Sequence, residues 1–291
     1  MIDLSAISRN LELTSDGTWR SKSVLPVSYP EWGNDACYQV EDFSFWFRHR
    51  NACILEAIKR FPPQGPVFDV GGGNGFVARA MQDAGLEVVL VEPGEAGARN
   101  AKRRGVQQVV CAGLEDSRFQ PSSLTAVGLF DVLEHIADDR SFLKTVRDYL
   151  SPGGMLYLTV PAYPVLWSHE DLDAGHFRRY RRKALRDVLE NAGFVVEFLT
   201  GFFQFLPLPI LAGRVIPYRL GIARAGGGNR KMQSQHEVRS ALVGRWLRWL
   251  EKRELERIHA CHELTFGGSW LVDGRSGDLA IRSNSNLLAR S

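Results

Sequence analysis

Residues 67–75, VFDVGGGNG, join a short apolar segment to a turn that contains four glycines. Glycine lacks a Cβ atom, so such a turn lets a ligand approach the backbone closely. The pattern that follows, residues 76–84, is helical, and the first turn of a helix offers unpaired N–H groups. The stretch therefore predicts a strand, a ligand-binding turn and a helix in succession.

The same rhythm of apolar strands and amphipathic helices continues along the chain. Strands are predicted at residues 67–71, 86–92, 106–111, 124–131, 155–160, 194–200 and 269–274. Helices are predicted between them at residues 76–84, 95–104, 138–150 and 183–191. Strands this apolar, separated by helices, indicate a mostly parallel sheet that is covered on both faces. We therefore expect an α/β fold with a Rossmann-like, doubly wound, seven-stranded sheet, a helical lid and C-terminal additions.

Three regions are expected along the chain. Residues 1–37 are polar and form an N-terminal extension, with a small hairpin around Asp16 and Gly17. Residues 38–200 form the core, which starts with a helix at 38–61, and residues 161–182 form a long loop above the carboxyl edge of the sheet. Residues 201–291 supply an apolar lid, a helical insertion and the closing strand of the same domain. Within this last region we expect a flexible break at 223–229, an amphipathic helix at 236–262 and a loose tail at 282–291.

The composition is that of an ordinary globular protein. Of 291 residues, 44% are hydrophobic and 24% are charged, and the formal net charge is +3. So small a charge gives no reason to expect a nucleic-acid partner. The four cysteines form no CxxC pair, which argues against a zinc site or a disulfide framework and favours the cytoplasm. The first residues lack the pattern of a signal peptide.

Residues 198–213, FLTGFFQFLPLPILAG, carry no charge. The segment is shorter than the roughly 20 residues that span a bilayer, and its two prolines would interrupt a helix. It is therefore either a buried strand followed by a core or lid segment, or a surface for peripheral contact with a membrane or an apolar substrate.

The spacing of the glycines separates two classes of cofactor. A dinucleotide turn reads GxGxxG, whereas the glycines here stand at 71, 73 and 75, and Phe76 occupies the place of the third glycine. This spacing makes a dinucleotide cofactor, whose pyrophosphate would bind at the turn, less expected without excluding it. Glu92 ends the second strand, 19 residues after Gly73, where an acid can accept hydrogen bonds from the ribose of any adenosine cofactor.

The segments FDVGGGNG, VEPG (91–94), FDVLEHIADD (130–139) and LSPGGMLYLTVPAYPVLWS (150–168) resemble the ordered motifs of class I S-adenosylmethionine-dependent methyltransferases. With FWFRHRN before the first strand and GHFRRY after the fifth, they are similar to a bacterial subgroup, the type 11/12-like methyltransferases. The resemblance extends from about Tyr38 to Trp270. The subgroup usually has a GCGTG-like turn, in which Gly72 and Asn74 here replace Cys and Thr.

This resemblance implies S-adenosyl-L-methionine as the cofactor and a set of residues around it. Residues near the methionine portion are Asp69, Gly71, Gly73 and Asn74. Glu92 and Pro93 contact the ribose, Leu114 and Glu115 flank the adenine, and Asp131 and Val132 edge the site. In addition, Trp46 is expected to close the pocket and Arg50 to bind the cofactor carboxylate, because Arg pairs with carboxylates in a bidentate manner.

Three histidines are candidate catalytic bases, since a hydroxyl or amine acceptor must lose a proton and imidazole suits that task. His135 follows the fourth strand, and His169 and His176 lie in the loop 161–182. Each could instead serve only in packing or capping. The acids near His169 and His176 belong to one loop with no second cluster, so no metal is expected.

The basic run at 178–186, RRYRRKALR, is either a solvated helix start or a docking site for an acidic group of the acceptor. Together these features predict a methyltransferase that acts most readily on oxygen, with a small-molecule, sugar or lipid-linked acceptor. Two alternatives remain at this point. One is an NAD-dependent oxidoreductase on a similar sheet, and the other is a methyltransferase fold that binds without catalysis.

Overall fold

The computed structural model describes residues 1–22, 31–221 and 241–277, and a single twisted sheet forms their centre. The strands are β1 (Leu11–Leu13), β2 (Trp19–Ser21), β3 (Val67–Val70), β4 (Val88–Val91), β5 (Gln108–Cys111), β6 (Leu124–Phe130), β7 (Leu150–Pro161), β8 (Phe194–Phe202) and β9 (Ser269–Ser276). Their order is β1-β2-β5-β4-β3-β6-β7-β9-β8. Strands β2 to β7 pair in parallel, and β1 and β9 are antiparallel to their neighbours. The predicted Rossmann-like, mostly parallel sheet is confirmed.

The predicted number of seven strands is wrong, because the described sheet has nine. The hairpin around Asp16 and Gly17 forms as predicted, but it does not stand apart from the core. Its second strand pairs with β5 through Trp19 opposite Val110 and Arg20 opposite Cys111. The hairpin thereby satisfies backbone groups that would otherwise be unpaired at the edge of β5. The boundaries of the three predicted regions stay a prediction.

Helices cover both faces of the sheet. They are α1 (Leu4–Ile7), α2 (Glu31–Tyr38), α3 (Phe45–Arg60), α4 (Phe76–Asp83), α5 (Glu95–Arg103), α6 (Asp139–Tyr149), α7 (His169–Asp173), α8 (Arg182–Asn191), α9 (Pro207–Ile210), α10 (Ile216–Arg219) and α11 (Ala241–His259). One apolar layer lies between the sheet and α3, α4 and α5, and the other lies between the sheet and α6 and α8. This two-sided burial explains the continuous apolar strands.

Two local predictions are corrected by capping residues. Helix α3 begins at Phe45 and not at residue 38, because the Ser44 side chain accepts the N–H of Phe47 at 3.5 Å and caps the helix. The predicted loop 161–182 contains the short helix α7, whose start is fixed by a capping box between Ser168 and Asp171. Both serines mark the start of a helix at a place where hydrophobic periodicity alone gives no boundary.

The apolar segment 198–213 is divided between core and surface. Phe198, Phe202 and Phe203 are buried in β8 and the turn after it, whereas Leu208 in α9 is 72% exposed. No helix in the described ranges is both long and apolar enough to cross a membrane. The predicted break at 223–229, the first residues of the predicted helix 236–262 and the predicted tail at 282–291 lie outside the described residues. Helix α11 falls within the predicted range 236–262.

We expect that the N-terminal extension contributes to the stability of the whole fold. Leu4 in α1 is fully buried in the core, whereas Leu13 in β1 is 59% exposed. Leu4→Ala should lower the free energy of unfolding by about 2–5 kcal/mol, because it leaves a cavity. Leu13→Ala should change it by about 0.5 kcal/mol or less. Urea unfolding of both variants measures the difference, and equal effects would show that the extension does not pack on the core.

Candidate functional site

The sheet order reverses between β3 and β6, the point at which doubly wound sheets have a crevice beyond the carboxyl ends of their strands. In doubly wound sheets this switch point is where ligands bind. The turn 71–75 follows β3, and Asp131 follows β6 with φ +57. Asp69, the third residue of β3, lies directly beneath the turn. The sequence-predicted residues of these two strand ends therefore come together.

Close packing explains the glycines of the turn. Gly71 has φ +69, and a Cβ there would lie 2.8 Å from the Val132 side chain. Gly75 has φ +72 and directly precedes α4 as its N-cap, and a Cβ there would lie 2.8 Å from Ala101 of α5. Any side chain at these positions would strain the backbone and displace its neighbours.

Asp69 is a buried carboxyl group without a hydrogen-bond partner on either oxygen among the described residues. Burial raises the pKa of Asp69 to about 7, opposed by the charge of Arg50 and assisted by the charge of Glu92. The nearby backbone N–H of Ala78 lowers this pKa slightly without making a hydrogen bond of normal geometry. An unpaired buried carboxylate is costly, so the group is either protonated or matched by a cation. The site thus favours a ligand that brings a positive charge.

Glu92 is buried at the end of β4, and two backbone groups hold its carboxylate in place. The N–H of Gly73 donates to one oxygen at 2.8 Å and the N–H of Gly94 donates to the other at 2.7 Å. Burial raises the pKa of Glu92 to about 7, although both hydrogen bonds act to lower it. A carboxylate accepts about four hydrogen bonds, so two remain for hydroxyl groups of a ligand.

Asn74 connects the glycine turn to the N-terminal extension. Its amide donates to the Asn34 carbonyl at 2.7 Å and to Glu41 at 3.1 Å, and its oxygen accepts from Asn100 at 3.1 Å. Arg104 donates to the Asn74 carbonyl at 3.1 Å and pairs with Glu41 at 2.7 Å. Helix α2 is thereby held across the turn. Sequence reasoning missed this network, since no local pattern relates its members.

Arg50 reaches the crevice from α3 and forms an ion pair with Asp131. Its guanidinium lies 4.9 Å from the centre of the Trp46 ring, and Trp46 in turn stacks on Phe203 at 5.5 Å. Asp131 also accepts a hydrogen bond from Thr159 at 3.1 Å. Trp46, Arg50 and Asp131 therefore form one assembly at the mouth of the crevice, and their roles toward a cofactor stay predictions.

The remaining predicted cofactor residues lie at neighbouring strand ends. Pro93 directly follows Glu92, and Val132 packs against Gly71. After β5, Leu114 is buried and Glu115 is exposed. Every predicted cofactor residue apart from Trp46 and Arg50 therefore lies in β3 or in the segments that follow β3, β4, β5 and β6.

The structure brings two of the three candidate histidines together. The rings of His135 and His176 lie 4.7 Å apart, one edge-on to the other. Nδ1 of His176 lies 2.9 Å from Asp171, and Arg179 donates to the same carboxylate oxygen at 2.7 Å. His169 instead packs edge-on against Tyr218 at 4.6 Å.

Glu134 was present in the quoted motif but not singled out from the sequence. It is almost fully buried, and its Oε2 atom has no hydrogen-bond partner among the described residues. Burial, assisted by the charge of Asp131, raises the pKa of Glu134 well above its usual range. Burial and the neighbouring His176 lower the pKa of His135 to about 4, so its ring is neutral.

Among the residues that the structure describes, two groups of side chains have the geometry to hold a metal ion. Glu134, His135 and His176 each offer a ligand atom within 4.8 Å of the other two. The second group, His49, Cys53 and Glu254, is buried between α3 and α11. There His49 lies 2.6 Å from Glu254, which also accepts two backbone N–H groups, so hydrogen bonding already accounts for that group.

Comparison with known proteins identifies the family. Residues 45–198, just over half of the chain, match the family described as "Methyltransferase domain". A protein named a probable S-adenosylmethionine-dependent methyltransferase in Mycolicibacterium smegmatis is 26% identical over 222 residues, which are 75% of this chain and 82% of that protein. Ubiquinone biosynthesis O-methyltransferases of Acinetobacter baumannii are 25% identical over 155 residues. The aligned part covers 46% of this chain and 65% of those proteins.

Solved structures show that the fold is shared. The methyltransferase in complex with the Haloferax volcanii Trm112 activator superposes with a TM-score of 0.55 at 17% identity, over 85% of this chain and 96% of its own. Phosphoethanolamine N-methyltransferase 2 of Haemonchus contortus, in complex with phosphomonomethylethanolamine and S-adenosylhomocysteine, gives 0.52 at 19% identity, over 86% of this chain and 59% of its own.

The crevice also fits the cofactor chemically. S-adenosylmethionine carries an ammonium group and ribose hydroxyls, which suit the unpartnered carboxyl of Asp69 and the fixed carboxylate of Glu92. Phe76 begins α4 where a dinucleotide turn has its third glycine. The family assignment likewise decides against an NAD-dependent oxidoreductase. The chain belongs to the methyltransferase-domain family and is an S-adenosylmethionine-dependent methyltransferase.

Proposed function

We propose that this enzyme methylates a hydroxyl oxygen and that His176 is the general base. The observation that carries the proposal is the pairing of His176 with Asp171 at 2.9 Å, in the segment that covers the carboxyl edge of the sheet. The bound cofactor supplies a methyl group that is already activated by the sulfonium. The protein must then align the acceptor and remove its proton.

Asp171 is suited to orient that base. Burial acts to raise its pKa, but the hydrogen bond to His176 and the charge of Arg179 hold the pKa of Asp171 below its usual range. The ionised carboxylate accepts the Nδ1–H of His176, and this tautomer leaves Nε2 free to take a proton. The arrangement has the logic of a base that is fixed by a buried acid.

His135 serves a different role in this proposal. With a pKa of about 4 it is a weak base, although it is always available in the neutral form. Its ring packs edge-on against His176 at 4.7 Å. We infer that it positions the imidazole of His176 and one side of the acceptor. His169, which packs against Tyr218, is a less direct candidate.

The cofactor residues follow from the chemistry of the crevice. We propose that Asp69 binds the ammonium group and that Glu92 binds the ribose. The other proposed contacts are Gly71, Gly73 and Asn74 near the methionine portion, Pro93 near the ribose, Leu114 and Glu115 near the adenine, and Trp46, Arg50, Asp131 and Val132 at the mouth. The close approach of the backbone at the turn supports this arrangement.

The acceptor is proposed to be a small-molecule, sugar or lipid-linked hydroxyl compound with an apolar portion. The ubiquinone enzymes among the relatives are O-methyltransferases, which supports oxygen as the acceptor atom. Three exposed apolar side chains flank the histidines, namely Val165, Leu172 and Phe177, each more than half exposed. We propose that they bind the apolar portion of the acceptor.

The basic run 178–186 contributes little free charge. Five of its six cations already have acidic partners: Arg178 pairs with Asp139, Arg179 with Asp171, Arg182 with Glu263, Lys183 with Asp187 and Arg186 with Glu190. This pairing favours the solvated helix start over a phosphate-docking site. We propose a cytoplasmic enzyme, with peripheral membrane contact at the exposed part of residues 198–213, from Leu208 onward.

The role of His176 can be tested by substitution. We expect His176→Asn to lower kcat by about 10²–10⁴-fold, because the acceptor loses its base, with little change in S-adenosylhomocysteine affinity. Asp171→Asn should lower kcat in the same direction and alter its pH profile. The assay follows radiolabelled methyl transfer from S-adenosylmethionine into a panel of hydroxyl, amine and thiol acceptors.

The matched control is a histidine that pairs with an acid elsewhere. His259 of α11 pairs with Glu56 on the outer surface, and its side chain is 76% exposed. His259→Asn should retain full activity. If His176→Asn transfers methyl groups to a hydroxyl as fast as the control does, His176 is not the base, and labelling only of amines would overturn oxygen as the acceptor.

Cofactor binding should depend on pH near neutrality. The carboxyls of Asp69 and Glu92 have raised pKa values of about 7, and a cationic ligand binds their ionised forms. Protonation of Asp69 alone should weaken binding about tenfold at pH 6 relative to pH 8. Calorimetric titration with S-adenosylhomocysteine measures this dependence. Asp69→Asn should bind weakly with a flatter profile, and a flat profile in the unmodified protein contradicts the assignment.

Methyl transfer should continue in the presence of a chelator. A sulfonium methyl needs no Lewis acid for activation, and in our proposal Nε2 of His176 receives a proton. Treatment with EDTA followed by the labelled-methyl assay should leave kcat unchanged. If EDTA abolishes methyl transfer and added Zn²⁺ or Mn²⁺ restores it, then Glu134, His135 and His176 act as metal ligands instead.

A further inference from the structure

Helix α11 presents an unusual outer face. Trp246 and Trp249 are 56% and 50% exposed, although a water-facing helix rarely displays two tryptophans. Because they are three residues apart, they lie side by side on the helix surface. The guanidinium of Arg253, one turn further on, lies 4.8 Å from the centre of the Trp249 ring.

A row of cations runs beside the tryptophans. Arg245, Arg248 and Lys252 are exposed and follow the spacing of one helix face. Within the described ranges, no acidic side chain forms an ion pair within 4.0 Å with Arg245, Arg248 or Arg253, although the half-buried Glu251 lies close enough to Arg248 to interact with its charge. Lys252 meets Glu256 only at 3.9 Å. The first part of this face is therefore positively charged and aromatic.

The opposite face of α11 is firmly attached to the enzyme. Glu254 and Ile258 are buried, and Glu254 pairs with His49 of α3 and accepts the N–H of Phe203 at 2.8 Å. Leu255 packs against the core below. The tryptophans thus project from a fixed helix and not from a loose segment.

We propose that this outer face of α11 docks on an anionic phospholipid bilayer. Tryptophan rings favour the level of the lipid headgroups, and the cations beside them attract acidic lipids. A second copy of the chain is a poor partner, because two such faces would repel each other. A nucleic acid would not use the aliphatic side chains of Leu208, Ile216 and Leu220, which are exposed in the same insertion between β8 and β9.

The proposal adds α11 to the membrane contact proposed for residues 198–213, and it does not depend on the identity of the acceptor. Helix α11 has 19 residues, which corresponds to a length of about 28 Å. The part of this helix that carries the cations and tryptophans, residues 245–253, can lie flat on a lipid surface.

Vesicle sedimentation tests the proposal with the full-length enzyme. We expect partitioning onto phosphatidylcholine vesicles that contain phosphatidylglycerol, much less onto phosphatidylcholine alone, and a decline with added salt. Arg245→Gln with Arg248→Gln should weaken partitioning about 30-fold, since each cation contributes about fivefold. Trp246→Ser with Trp249→Ser should remove the blue shift of tryptophan emission on binding.

The matched control neutralises two exposed cations on α6, Arg140→Gln with Lys144→Gln, which changes the net charge equally. Unchanged partitioning of this control supports the proposal. S-adenosylhomocysteine binding confirms that each variant is folded. If a double variant does not fold, the single variant Trp246→Ser is used in its place. The membrane-docking proposal is overturned if the enzyme does not bind vesicles, or if it binds neutral vesicles equally well. An equal loss of binding in the control, or salt-sensitive self-association through α11, would also overturn it.

Discussion

An unpaired carboxyl group at the switch point of the sheet is the constraint on which the rest of the site depends. Asp69 is buried in β3, and neither oxygen has a hydrogen-bond partner among the described residues. The glycine turn above it is too crowded for side chains that could supply a donor, because a Cβ on Gly72 would lie 2.7 Å from the Asp69 carboxylate. In our proposal a cationic ligand matches this charge.

The end of β6 joins the proposed cofactor site to the proposed acceptor side. Asp131 pairs with Arg50 of α3, and the short helical turn that follows carries Glu134 and His135 toward His176. Helix α3 is in turn fixed to α11 by the pair His49–Glu254. The mouth of the crevice, the proposed base and the C-terminal insertion are therefore parts of one packed unit, in which a displacement of α3 would affect all three.

Sequence patterns located the successive strand, turn and helix units, although they misplaced the start of α3 and missed α7. The apolar strands, the glycine turn and Glu92 were found because strand, turn and helix follow one another along the chain. The pairing of the N-terminal hairpin with β5 and the network of Asn74 with Asn34 and Glu41 join distant segments, and periodicity carries no information about them. The same reason explains Glu134, whose burial depends on the segment 161–182 folding over it.

The central claim is that Asp69 receives the ammonium group of the cofactor. The most direct measurement is a thermodynamic cycle that compares S-adenosylhomocysteine with its desamino analogue, bound to the unmodified enzyme and to Asp69→Asn. Our account predicts a coupling free energy of about 1.5–3 kcal/mol between the ligand ammonium and the carboxylate. Additive effects of the two changes, with no coupling, would contradict it.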